Sequence, residues 1–427
     1  MARPAVAYPP MVAESTPFQL VVLIFLPFAS GYFLSYYFRT VNAVLADRLM
    51  GDLRLDAAQL GLMTAAYFLI AAAAQLPLGF ALDRYGARRV QSICLLVAGL
   101  GACLFANAHD LVSLFVARGL IGLGVASALL SGLKALAMSC PPQRLGLFNG
   151  IFMSVGATGA IAASLPTEAI LQVVDWRQLF LALAFATFAS AGLILAFVPK
   201  GLVAGPAKVG AVPGYRSIVS DRGFQRLAPL SALAVGGAWA LQGLWGAPWL
   251  RDVAHLDQQA VALHLLTMAG ALSAAALSFG VAINALARWG IGPTAIMSVA
   301  SLLFILAEVA LALEWPIPPL ILWSVVAAFG AGTVLSYTIN AQRFPKECIG
   351  RANSALNLFH FAAAFGVQSL FGQVVALWPR DDLGHYPPEA YKAAFLGLAA
   401  LQLASLFWFL KPDRARRSAD AQCVARL

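Results

Sequence analysis

The sequence predicts an all-α membrane protein of twelve transmembrane helices in two pseudo-symmetric six-helix bundles. Three observations carry this. Of 427 residues, 61% are apolar and only 11% charged, against about 25% charged in soluble proteins. Mean hydropathy is +0.80. Apolar runs long enough to cross a bilayer core, roughly 20 residues each, recur along the whole chain.

These runs lie near 18–46, 57–82, 90–107, 111–139, 145–173, 178–198, 225–250, 259–286, 292–314, 318–342, 350–377 and 391–411. The first begins with an apolar stretch, Leu20 to Ala29, that mimics a signal peptide. Its pattern continues through Tyr37 to Leu45, which is too long for the apolar region of a cleaved signal. Six runs precede a polar stretch bearing Gly and Pro, and six follow it. The expected division is therefore a first bundle over 1–199, a cytoplasmic linker over 200–223, a second bundle over 224–411 and a basic tail over 412–427.

The formal charge is +9. No zinc-finger spacing or aromatic–basic interleaving accompanies it, so nucleic acid is not an expected partner. The basic residues instead sit in short loops. With the N-terminus inside, one side holds 19 Lys and Arg and the other 6, the asymmetry that orients membrane proteins. Both termini are expected in the cytoplasm. The Ala-rich composition and short loops point to a bacterial inner membrane. The five cysteines form no CxxC, which argues against a disulfide framework. No GxSxG, HExxH or Walker sequence is present, so neither an enzyme nor ATP-driven chemistry is expected, and no cofactor or resident metal is implied.

The halves echo each other. Cys140 to Gly150 aligns without gaps to Phe344 to Ser354, with Pro141/Pro345, Gly146/Gly350 and Asn149/Asn353 coinciding. A parallel repeat of six-helix units is a transporter architecture, with its site between the halves near the membrane midplane.

Between the second and third runs stands Gly79-Phe-Ala-Leu-Asp83-Arg84-Tyr-Gly86-Ala-Arg88-Arg89. It resembles the G-x-x-x-D-R-x-G-x-R-R signature of the major facilitator superfamily in every defining position. The resemblance implies the major facilitator fold, alternating access, and a cytoplasmic gating latch made by Gly79, Asp83, Arg84, Gly86, Arg88 and Arg89. Physically, Gly79 would admit close helix approach and Gly86 a tight turn, while the charges would bind helix ends. The second half carries a worn copy, Gly280 to Gly290, with Asn284 in place of the acid. Arg118-x-x-x-Gly122-x-Gly124 resembles a further family motif. The fifth run lacks the Gly-Pro pair of the family's antiporter signature, which lowers the case for proton-coupled drug export.

A charge near the bilayer centre costs on the order of 3 kcal/mol and marks function. Arg39, Arg118 and Lys134 are the basic residues so placed, and Glu308 the acid. Arg39 and Arg118 are each expected roughly 10 Å outward of their helix centres at 1.5 Å per residue, level with one another. Two guanidiniums at one depth make an oxyanion site, with Tyr32, Tyr36 and Thr40 adding hydroxyls. The alternative is pairing with Asp47 or Asp110 at the outer rim. Lys134 is a second anion contact or an inner-gate charge. Glu308, on a helix that the resemblance makes peripheral, is expected at the lipid interface. By the same analogy Trp239, Gln242 and Trp245, with Tyr337 and Asn340, belong to cavity-lining helices. His264 and Met268 share a helix face at a spacing that suits Cu(I), and His264 or His360 could carry a coupling proton.

The expected function is secondary transport of a small solute, foremost an organic anion, by a monomer coupled to protons or to a counter-substrate. Export of a drug or amphipathic metabolite, copper uptake, and a non-transporting scaffold are the competing readings. The intact signature argues against the last.

Overall fold

A computed structural model describes residues 20–140, 142–200, 215–332, 335–344 and 349–411, without the side chains of 83, 142–147, 280, 281, 283, 284 and 350. The linker's centre, the basic tail, the side chains of Asp83 and Asn284 and most of the repeated loop therefore lie outside the described residues. Every described element is helical. Among the described residues, twelve helices are long and apolar enough to span a membrane: α1 Val21–Leu53, α2 Ala57–Leu82, α3 Arg84–Ala106, α4 Leu111–Ser139, α5 Phe148–Ile170, α6 Trp176–Phe197, α7 Arg222–Asp252, α8 Gln258–Phe279, α9 Pro293–Ala312, α10 Pro319–Arg343, α11 Arg351–Val375 and α12 Pro388–Leu410.

The helix starts follow from local chemistry. A helix leaves its first N–H groups unsatisfied, and a short acidic side chain can accept from them. Asp56, Asp110 and Asp175 each cap this way, with Gln59, Ser113 and Gln178 returning the bond. Asp221 and Asp257 cap α7 and α8. Proline, which lacks the N–H, opens α9, α10 and α12. Asp110 is thus a helix cap, and among the described residues no arginine pairs with it. The Ser113 N–H holds its carboxyl below the ordinary value.

Two breaks matter for the site. The α1 helix begins with a π-helical turn, Val21–Phe25. A second π-helical turn, Leu241–Trp245, interrupts α7. Such turns rotate the register of every later side chain and concentrate at functional sites. Gly86 adopts φ 78°, the tight turn between α2 and α3 that its lack of a Cβ allows.

Glycine sets the closest helix approach in the first bundle. A Cβ on Gly124 of α4 would lie 2.4 Å from the Cys94 carbonyl oxygen of α3, and one on Gly122 would lie 2.3 Å from the Tyr67 oxygen of α2. In lipid such small-residue contacts replace the hydrophobic drive between helices.

The end where the linker joins α6 to α7 is called the linker face, and the opposite end the far face. At the far face the halves are bonded. Arg251 of α7 forms an ion pair with Asp47 of α1 and with Asp252. Gln258 donates to the Val44 carbonyl (3.2 Å), Arg380 to that of Leu55 (2.6 Å), and the Ala57 N–H to the Tyr386 hydroxyl (3.0 Å). Deeper, Phe68 of α2 stacks on Trp239 of α7 and packs against Phe361 of α11. The last inter-half bond among the described residues, counting toward the linker face, is Asn357 Nδ2 to Gln75 Oε1 at 3.0 Å.

Candidate functional site

The site is built on α1. This helix runs on beyond residue 46 to Leu53, so Arg39 sits about two residues past its midpoint, or ~3 Å at 1.5 Å per residue. That is nearer the centre than the sequence suggests. Arg39 Cζ lies 3.9 Å from the centroid of the Tyr36 ring and 5.0 Å from that of Trp239. Cation–π attraction of this kind holds a guanidinium without neutralising it. No carboxylate among the described residues pairs with it.

Beside Arg39 lies a small cleft of about 20 Å³ between the halves, lined by Thr40 and Ala43 of α1, Ser164 of α5, Gln242 of α7, and Leu265, Met268 and Leu272 of α8 among others. Its polar groups are a cation, hydroxyls and an amide. Thr40 and Ser164 donate their hydroxyl hydrogens to their own helices, at Tyr36 and Ile161. The Gln242 Nε2 is buried and has no hydrogen-bond partner. Buried donors are nearly always satisfied. The π-helical turn in α7 carries Gln242 and lies against α1, where a Cβ on Gly243 would come within 3.2 Å of the Arg39 carbonyl oxygen.

The other expected residues go elsewhere. Arg118 is fully buried and donates to the Phe38 carbonyl at 2.9 Å, its Cζ 5.2 Å from the Tyr67 ring centroid. It braces α4 against α1 next to Arg39 and does not line the cleft. Lys134 donates to the Leu82 carbonyl at the end of α2, at 2.9 Å, which places it by the signature loop. Tyr32 is buried, stacked on Phe152 and edge-on to Tyr36. Asn340 is buried and bonds Asn353. Trp245 is buried and donates to the Gln368 carbonyl. Tyr337, Asn357 and His360 form a separate hydrogen-bonded group.

Two expectations are corrected. Glu308 does not lie at the lipid interface. It is fully buried in the second bundle, accepting from Gln402 of α12 at 3.3 Å and facing Gly237 of α7. Gly79 makes no close helix contact, since a Cβ there would meet nothing within 4 Å. Of the remaining signature residues, Arg88 donates to the Leu195 carbonyl at 2.5 Å, Arg84 lies 5.5 Å from the Tyr85 ring centroid, and Arg89 is exposed.

His264 Nδ1 is bonded to the Ala260 carbonyl at 2.8 Å, while Met268 lines the Arg39 cleft. A copper ion there would face a fixed cation. Among the described residues no three His, Cys, Asp or Glu side chains gather as metal ligands.

The sequence reading missed the far-face pair Arg251 and Asp47 as a link between the halves. Each lies near a span end, where charges are ordinary, and neither carries a motif. The π-helical turn that brings Gln242 toward Arg39 has no sequence signal either.

The family model of the Major Facilitator Superfamily matches residues 28–368. The chain belongs to this superfamily. Among similar proteins, an uncharacterized transporter, YybO, of Bacillus subtilis is 30% identical over 35% of this chain and 34% of its own length. A probable sulfoacetate transporter, SauU, of Cupriavidus necator is 27% identical over 36% and 35%. A nitrate/nitrite transporter, NrtP, of a Picosynechococcus species is 29% identical over 30% and 24%. The matched stretches thus span about a third or less of each relative. Of solved structures, an inward-facing, occupied bacterial homolog of the human lysosomal transporter Spinster superposes with TM-score 0.71 at 17% identity, covering 93% of this chain and 96% of its own. A D-xylose-proton symporter gives TM-score 0.73 at 12% identity, covering 93% and 98%. Superfamily members of this kind are transporters and not enzymes, and this chain has the major facilitator fold.

Proposed function

We propose that the chain carries a small organic anion across a bacterial inner membrane, binding it at Arg39 midway between the halves. The carrying observation is the chemistry of the cleft: a cation unopposed by any lining carboxylate, with the unpartnered Gln242 Nε2 beside it. Both are donors, and a carboxylate, sulfonate or nitrate supplies an acceptor for the Gln242 Nε2 and a counter-charge for Arg39. With Tyr36 and Trp239 against its faces, Arg39 offers its N–H edges to a planar or tetrahedral oxyanion, the geometry that favours Arg over Lys. The names of the sulfoacetate and nitrate/nitrite relatives are consistent with this reading.

The Lys/Arg bias makes the linker face cytoplasmic. The far-face bonds then close the outer side, and the signature residues form a latch that engages when the linker face shuts. The aromatic wall of Tyr36, Phe68, Trp239 and Phe361 favours export of an amphipathic solute as the second reading.

A thermal-shift screen of the detergent-purified chain tests this with acetate, sulfoacetate, nitrate, a dicarboxylate, a lipophilic cation and Cu(I). A ligand at 100 times its dissociation constant stabilises by about 2.7 kcal/mol. Stabilisation by one anion class, lost in Arg39→Ala, is the expected result. Stabilisation by the lipophilic cation alone, unchanged in Arg39→Ala, would refute the anion reading and favour export.

A further inference from the structure

Five polar side chains form a continuous hydrogen-bonded chain through the interior, apart from the Arg39 cleft. Gln75 Nε2 of α2 donates to the Ala71 carbonyl at 3.4 Å. Asn357 Nδ2 of α11 donates to Gln75 Oε1 at 3.0 Å. The Tyr337 hydroxyl of α10 donates to Asn357 Oδ1 at 2.9 Å. His360 Nδ1 lies 3.1 Å from the Tyr337 oxygen, and its Nε2 lies 3.2 Å from Ser231 Oγ of α7. Ser231 Oγ is in turn 3.3 Å from the Ala228 carbonyl oxygen. Gln75, His360 and Ser231 are buried.

The bond directions follow from which atoms can donate. Asn357 spends its N–H on Gln75, so its oxygen receives the Tyr337 hydrogen. The Tyr337 oxygen then offers only lone pairs, and His360 Nδ1 must carry a hydrogen. Nε2 is left as the nitrogen with two possible states. In the neutral ring it accepts from the Ser231 hydroxyl. In the imidazolium it donates to Ser231 Oγ, whose own hydrogen turns to the Ala228 carbonyl. One hydroxyl rotation therefore keeps the His360 and Ser231 polar atoms bonded in both states.

We infer that His360 is the proton-binding residue of this transporter, loading one proton at Nε2 with Ser231 as the hydroxyl switch. The inference that this proton travels with the substrate rests on the anion reading above. For a monovalent anion the loaded carrier moves no net charge. From α10 the titratable group facing His360 is Tyr337. From α7 it is met by Ser231, and toward α2 by the neutral Asn357 and Gln75. Among the described residues no carboxylate or cation bonds it. An added charge here has no counter-charge in its own shell, and an isolated buried charge is costly. The balancing negative charge of the loaded carrier is that of the anion proposed above. The same chain ends in the Asn357–Gln75 bond, the inter-half hydrogen bond nearest the linker face among the described residues. The other intramembrane histidine, His264, has its Nδ1 committed to the Ala260 carbonyl of its own helix.

The test has two arms. In the full chain in nanodiscs, ¹⁵N-imidazole NMR, assigned with His360→Gln, is expected to show Nε2 of His360 taking up a proton toward the acid end of the range from about pH 9 to 3 while Nδ1 stays protonated. Ser231→Ala is expected to displace that titration. A His360 that keeps one protonation state over this range overturns the proposal, whatever the substrate. In proteoliposomes, sulfoacetate and nitrate are the probes, since acetic acid crosses a bilayer unaided. An acid-outside gradient of about one pH unit is expected to drive up to about tenfold accumulation of the probe carried. His360→Gln is expected to lose that accumulation while still exchanging the probe, more slowly. Gradient-driven accumulation that persists in His360→Gln overturns the coupling role. Where His360→Gln does not fold, His360→Asn replaces it in both arms. Failure of the anion reading shows differently: no anion stabilises the chain and Arg39→Ala changes nothing, while the NMR titration remains readable.

Discussion

The far-face ion pair offers the most direct test of the architecture. Arg251 of α7 bonds both Asp47 of α1 and Asp252, and their side chains are 15%, 31% and 0% exposed. Asp252 also accepts from the Tyr391 hydroxyl at 2.6 Å and the Tyr386 N–H at 3.2 Å. The Tyr386 hydroxyl in turn accepts from the Ala57 N–H of the first half. Asp47→Asn removes the charge from one of two acceptors of Arg251 and leaves the buried Asp252 paired. Breaking a fully buried pair costs about 3–5 kcal/mol, and an exposed one about 0–1. The intermediate burial and the surviving partner place Asp47→Asn at about 1–2 kcal/mol, or roughly 5–30-fold in the ratio of far-face-closed to far-face-open molecules. Arg251→Gln, which leaves Asp252 without its cation, is expected to shift the ratio further. Spin labels at His109 and Leu383, on the far-face loops of the two halves, read the change as a distance distribution by double electron–electron resonance. The expected result is a second, longer distance that grows from wild type to Asp47→Asn to Arg251→Gln. Identical distributions in all three would mean that helix packing, and not this pair, keeps the far face shut.

Three further outcomes follow from single contacts. Burial pushes the Asp221 carboxyl up, but Arg343 and the Phe224 and Gly223 N–H groups outweigh it and hold the group below its ordinary value. Its contribution is therefore complete above the unfolded value of about 3.9 and is lost as pH falls through the lower native one. Asp221→Ala should cost about 1 kcal/mol at neutral pH, and the difference from wild type should vanish in acid melts. Glu308→Ala should cost about 2–4 kcal/mol, through a cavity and the lost bond from Gln402, whereas Glu308→Gln keeps a bond to Gln402 and should melt at or above wild type. Gly124→Val should abolish the folded protein on size-exclusion chromatography, because the added Cβ meets α3 backbone at 2.4 Å. Gly79→Ala, facing open space, should leave the profile unchanged.

How far the sequence carries differs between fold and site. The spans were legible because lipid imposes a length and a composition on each of them. Gly86 was legible because a tight turn needs a positive φ. Arg39 was legible because an arginine inside a span needs a reason. The rest depended on three-dimensional pairing. Arg118 looks like Arg39 in sequence, yet its guanidinium closes on the Phe38 carbonyl, a backbone atom that no motif advertises. Glu308 looks peripheral because its span number says so, but Gln402 lies 94 residues away on α12 and draws it inside. Gln242 reaches the cleft through a π-helical turn, and no residue type in that turn announces it in the sequence. Arg251 and Asp47 sit at helix ends, where a charge in the sequence has no special meaning.

The same two helices carry both the cleft and the far-face pair. Arg39 and Asp47 are eight residues apart on α1, about 12 Å at 1.5 Å per residue. Gln242 and Arg251 are nine apart on α7, about 13 Å by the same rise. An anion that accepts from both Arg39 and Gln242 fixes the spacing of α1 and α7 at the centre, and the Arg251–Asp47 pair fixes it at the far end. The two contacts then favour the same arrangement, and each must strengthen the other. Linkage is reciprocal: whatever factor the bound anion adds to far-face closure, the ion pair adds to anion affinity. Asp47→Asn is accordingly expected to weaken binding of the stabilising anion by up to the same roughly 5–30-fold estimated from the pair energy, although Asp47 does not line the cleft. Titrating that anion against wild type, Asp47→Asn, Arg39→Ala and the double variant measures the coupling. If the effect of Asp47→Asn on affinity is absent while its effect on the spin-label distances is present, the cleft does not set the helix spacing, and the anion must be held by α1 alone.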